Sequence, residues 1–138
     1  MRFIFDNTTS PRIAQAIKVL AGGDPRRYQV WHLAEKFEER DVLDTVWIPQ
    51  LAREGDWVVV SADPRITSGR AERQAWKEAG LTGFFLAKGW AGLPLWDQAW
   101  KLIQWWPRIV DQTGKVRAGA TFLVPVKGTQ FEQLDVTR

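Results

Sequence analysis

The run WVVVSAD (Trp57–Asp63) constrains the fold more than any other stretch of this chain. Consecutive β-branched residues leave no polar face, so a strand here is covered on both sides, as in the interior of a parallel sheet. Parallel neighbours cannot be joined by tight turns and need crossovers, usually helices. The rest of the sequence supplies them. RFIF (Arg2–Phe5), YQVWHL (Tyr28–Leu33), GFFLA (Gly83–Ala87) and ATFLVPV (Ala120–Val126) read as further strands, and Pro125 argues that the last lies on a sheet edge. Between them fall helical patterns. Ser10 caps the first, with Pro11 at its first position; Ile13, Ala16, Ile17 and Leu20 follow at helical spacing, and Gly22–Gly23 end it. DTVWIPQLAREG (Asp44–Gly55) is also helical. Pro49 allows two forms: a helix starting near Trp47 or Ile48 with Asp44 just ahead of it, or a kinked helix that contains Asp44. GRAERQAWKEAG (Gly69–Gly80) is a third helix, and PLWDQAWKLIQWWPRIV (Pro94–Val110) a fourth, interrupted or ended near Pro107. EKFEERD (Glu35–Asp41) is a charged connection. The pattern predicts one α/β domain over residues 1–138 with a mainly parallel sheet of about five strands.

Composition narrows the class. Apolar residues make up 45% of the 138 and charged residues 25%, the balance of a soluble globular domain. No run approaches the roughly 18–20 apolar residues that a membrane span needs. MRFIFDNTT meets an acid at position 6, which denies it the apolar core of a signal peptide, and a cytoplasmic location is expected. There is no cysteine, hence no disulfide and no thiolate metal site. AGGDP lacks the Lys-Ser/Thr of a phosphate-binding loop. The net charge of +3 permits a polyanionic partner without demanding one.

Three acids stand where a parallel sheet would gather them. Asp6 ends the first strand, Asp63 ends the third, and Asp44 sits at the start of the helix that precedes the third strand. Each alone can be a helix cap or a turn residue, and Asp63 is followed by Pro64. Together, at the carboxyl edge of the sheet, they would repel one another and tend to hold protons. A hard divalent cation such as Mg²⁺ or Mn²⁺ removes that conflict with oxygen ligands alone.

FDNTTS followed by a helix, then DTVWIPQLA, then VVVSAD resembles the PIN-domain superfamily, in its PIN-like branch near VapC-type toxins of toxin–antitoxin pairs. The resemblance runs from about Arg2 to Leu86. It implies a three-layer α/β/α sandwich and a ribonuclease that uses Mg²⁺ or Mn²⁺. On it Asp6, Asp44 and Asp63 match the catalytic, metal-holding acids. Ser61 matches the hydroxyl residue two places before the last acid, and Asn7 and Ser10 the polar positions after the first. It further implies an RNA substrate, a cognate antitoxin and a homodimer. Many PIN domains carry a fourth acid soon after the third; here Arg65 stands in that region, and the next acid is Glu72, either a supporting group or an exposed helix charge. That departure keeps a second reading open: a catalytically silent PIN-like module that binds RNA or a protein.

Four arginines, Arg12, Arg65, Arg70 and Arg73, are candidates for a phosphate backbone, Arg65 foremost for its nearness to Asp63. His32, the one histidine, ends the second strand and is either a proton carrier beside Asp6 or a loop-bonding structural residue. Nine tryptophans are unusual for this length. At roughly 100° per residue, Trp96, Ala99, Trp100 and Ile103 share one stripe of the fourth helix, widened by Leu95 and Trp106, and that stripe is expected in the core. Trp105 falls opposite, beside Gln98, Lys101 and Arg108. It is therefore expected at the surface as a contact to a partner, protein in preference to nucleic acid.

Overall fold

The computed structural model describes residues 1–39 and 41–135; Arg40, within the charged connection, lies outside the described residues. The chain runs β1 (Arg2–Phe5), α1 (Pro11–Ala21), β2 (Gln29–His32), α2 (Leu33–Lys36), α3 (Asp44–Glu54), β3 (Trp57–Ser61), α4 (Pro64–Ser68), α5 (Arg70–Ala79), β4 (Thr82–Leu86), α6 (Leu95–Lys115), β5 (Thr121–Val124) and β6 (Glu132–Leu134). The strands form one sheet in the order β2-β1-β3-β4-β5-β6. The first five are parallel, and β6 pairs antiparallel with β5. The sheet thus has one strand more than the sequence pattern suggested. Pro125 lies just past β5 and marks no edge, because β6 covers that side.

Alternation along β3 builds two cores. Val58 and Val60 face one side with Phe3, Phe5, Phe84 and Phe122, under Ile13 and Ile17 of α1 and Leu102, Trp106 and Ile109 of α6. Trp57 and Val59 face the other with Ile4 and Phe85, under Leu33 of α2, Trp47, Ile48 and Leu51 of α3, Ile66 of α4 and Trp76 of α5. The architecture is therefore a three-layer α/β/α sandwich. Gly83 on β4 is required by this packing: a Cβ there would lie 2.5 Å from the Trp76 ring. Six of the nine tryptophans are buried, and their indole N–H groups find acceptors where the core would strand them. Trp76 donates to Thr121 Oγ1 (3.1 Å) and Trp90 to the Val124 carbonyl (3.0 Å).

Both internal prolines sit within assigned helices. α3 contains Asp44 in its first turn and Pro49 further along, the second of the two forms the sequence left open. The carbonyl that Pro49 cannot serve belongs to Thr45, which faces solvent. α6 does not stop at Pro107 but continues to Lys115. That continuation reverses the expectation for its tryptophans. Ile109 and Val110 extend the apolar register beyond the proline and turn the buried face by roughly a quarter revolution. Trp105 is 5% exposed and packs against Phe131 at 4.9 Å between ring centroids, so it is a core residue, not the surface contact expected. Trp96, expected in the core, is 83% exposed, and Trp100 is half exposed.

Candidate active site

At the carboxyl edge of the sheet, β1 and β3 end side by side, and the Asp6 N–H extends their pairing by donating to the Val60 carbonyl. Two hydroxyl relays then tie the strand ends together through Asp6. The Ala62 N–H donates to Thr8 Oγ1 (2.8 Å), and that hydroxyl donates to Asp6 Oδ1. The Asp63 N–H donates to Ser61 Oγ (3.0 Å), and that hydroxyl donates to Asp6 Oδ2. The Thr8 N–H adds a further bond to Oδ1 at 3.0 Å. Asp6 is 3% exposed, and burial pushes its carboxyl up to about 6. The bonds from Ser61 and Thr8 work against that shift, and the nearby Asp44 charge adds to it.

Asp44 is half-buried in the first turn of α3, where its Oδ1 accepts from Trp47 Nε1 at 2.9 Å. Burial raises its proton affinity, the Trp47 bond opposes this, and the Asp63 charge raises it further. Asp44 and Asp63 lie within electrostatic range of each other across the cleft. Asp63 itself caps α4, with Pro64 at the first helical position. Burial pushes its carboxyl up, but Arg65 outweighs burial and holds it below the ordinary range. Arg65 Nε lies 3.0 Å from Oδ1, Arg65 Nη2 lies 2.8 Å from Oδ2, and the Arg65 N–H donates to Oδ1 at 2.9 Å.

These groups line one cleft of about 330 Å³, which among the described residues holds five carboxylates (Asp6, Asp41, Asp44, Asp63 and Glu72) against one guanidinium, Arg65. Glu72, in the first turn of α5, is half-buried at the cleft wall and within electrostatic range of Arg65, so it is not the exposed helix charge that the sequence also allowed. Asn7 lines the cleft beside Asp6. Ser10 caps α1, its hydroxyl accepting from the Arg12 N–H (3.2 Å), and is not among the lining residues. Arg12, Arg70 and Arg73 do not line the cleft either. His32 is 2% exposed and bonded at both ring nitrogens: Nε2 donates to the Thr9 carbonyl (2.8 Å), and Nδ1 accepts from the Ala34 N–H (3.0 Å). With Glu35 it forms a capping box that pins the loop after β1 to α2. Thr8 and Asp41 escaped the sequence reading. Thr8 was readable as one of two adjacent threonines after a strand-end acid; Asp41 carried no signal beyond its charge.

A family described as a PIN like domain matches residues 1–88, from the first strand to just past β4. The chain is a member of this PIN-like family. No curated protein and no solved structure matches it. The matched PIN-like region contains every residue that lines the cleft, whereas α6, β5 and β6 lie beyond it.

The donor set of the PIN-like cleft fits a hard divalent cation: its acids are all oxygen donors, and Asp6 and Asp44 already bind protons more tightly because they share a desolvated site. As the side chains stand, no three His, Asp or Glu among the described residues are close enough to hold one ion. Asp63 is matched by Arg65, and both oxygens of Asp6 are matched by hydroxyls. Among the described residues, no helix is long and apolar enough to cross a membrane.

Proposed function

We propose that this PIN-like protein is a metal-dependent endoribonuclease, the toxin component of a toxin–antitoxin pair. One observation carries the nuclease reading: five carboxylates converge on an open cleft at the carboxyl edge of a parallel sheet, in a chain whose net charge is +3. Such a concentration of negative charge repels an RNA backbone unless a cation stands between them. Asp6, Asp44 and Asp63 would hold Mg²⁺ or Mn²⁺, with Glu72 at the wall. When bound, the ion supplies an activated water and neutralises charge on the phosphate. The remaining work belongs to the protein. Ser61 and Thr8 fix the Asp6 carboxyl in orientation, and Trp47 does the same for Asp44. Arg65, in the cleft, meets a phosphate oxygen, and Arg70 and Arg73 on α5 and Arg12 on α1 guide the flanking strand.

The toxin assignment and the homodimer rest on the resemblance of FDNTTS, DTVWIPQLA and VVVSAD to VapC-type sequences, and the cytoplasmic location on the acid that interrupts MRFIFDNTT and on the lack of cysteine. An antitoxin contact on α6 falls to the exposed Trp96 and Trp100, since Trp105 is buried. The pairing of Asp63 with Arg65 favours a second reading, a silent module that binds RNA without cutting it. A cleavage assay separates the two. Single-stranded RNA with Mn²⁺ should be cut, and Asp6→Asn should slow cutting at least about a hundredfold with native circular dichroism. Undiminished cutting by that variant removes the assignment, and absence of cutting by the unaltered protein with retained RNA binding supports the silent module.

A further inference from the structure

We infer that Arg65 and a divalent cation compete for the same carboxylate, Asp63, so that Arg65 sets how tightly the cleft binds metal. The inference rests on the metal-dependent reading above. The Arg65 fork engages both Asp63 oxygens, at 3.0 and 2.8 Å, and the Arg65 N–H takes Oδ1 as well. A cation drawn to either oxygen would stand within a few Å of the guanidinium, where two positive charges repel strongly in a partly desolvated cleft. One partner has to yield, and burial decides which. The Asp63 side chain is 6% exposed and fixed as the cap of α4, whereas the Arg65 side chain is 68% exposed and can swing outward. Glu72, on the same cleft wall, lies within electrostatic range of the guanidinium as it stands and offers it an alternative carboxylate. A planar fork released there is also suited to a phosphate oxygen pair, so metal entry frees the group that greets the substrate.

The test is calorimetric titration of Mn²⁺ into the full chain and two variants. Arg65→Gln should bind Mn²⁺ at least roughly fivefold more tightly than the unaltered protein. Arg65→Lys keeps the charge but loses the fork, and it should also bind more tightly than the unaltered protein. Equal or weaker binding by Arg65→Gln overturns the competition. So does tighter binding by Arg65→Gln with Arg65→Lys unchanged, because that pattern needs only a distant charge. In both cases the unaltered protein still binds Mn²⁺, and the metal-dependent reading survives. If none of the three binds Mn²⁺, that reading and the competition fall together.

Discussion

Asp6 is the most deeply buried of the cleft acids whose proton affinity the fold alters. Its carboxyl is pushed up from 3.8 to about 6, with burial as the main cause. A raised acid means that the native state binds the proton more tightly than the unfolded chain does. Between about pH 4 and pH 6 the native state therefore loses stability as pH rises, and above that window the loss is constant at about 3 kcal/mol. Asp6→Asn cannot titrate. In metal-free buffer the stability of Asp6→Asn minus that of the unaltered protein should grow by about 3 kcal/mol from pH 4 to pH 7. Urea denaturation across that range measures it, and a difference that stays flat with pH contradicts the account. Asp63 behaves oppositely, because Arg65 holds its carboxyl low. Its contribution is present at neutral pH and is lost as pH falls, so Arg65→Gln should weaken acid sensitivity in the same titration.

At the scale of elements, α6 shows how a local rule was outweighed. The stripe of Trp96, Trp100 and Ile103 is a sound amphipathic pattern if the helix stops at Pro107. Because the helix runs on to Lys115, Leu102, Trp106, Ile109 and Val110 set the buried face, and Trp105 joins them. Trp105→Ala should cost about 3–5 kcal/mol, whereas Trp96→Ala should change stability by less than about 0.5 kcal/mol. Thermal melts of the pair check this, and the reverse order would restore the other register. Gly83→Ala should destabilise by about 1–3 kcal/mol, since the added methyl overlaps Trp76. β1, β3, α1 and α5 were legible because period and caps agree within each segment. β6 was not: EQL is short, and only its pairing with β5 makes it a strand. In the cleft, Asp6, Asp44 and Asp63 were readable from their places at strand and helix ends, whereas Ser61, buried behind Asp6, was indicated only by the resemblance. The Arg65–Asp63 fork and the entry of Glu72 and Asp41 were not, since they depend on how α4, α5 and the loop before α3 fold back over the sheet edge.

At the scale of the molecule, the charge distribution is the feature that the functional account uses. Among the described residues, a chain with net charge +3 concentrates five acids in one cleft and places Arg65 as the cation against them. The PIN-like family match spans this cleft in full and leaves the exposed Trp96 and Trp100 in the part of the chain beyond it. The central claim is that the cleft acids act together on one divalent cation. Calorimetric titration of Mn²⁺ into the unaltered protein and into Asp44→Asn tests it most directly, because Asp44 is the acid that interacts with both Asp6 and Asp63. The account predicts saturable binding by the unaltered protein that Asp44→Asn weakens at least about tenfold. Equal binding by both, or no saturable binding by the unaltered protein, would contradict it.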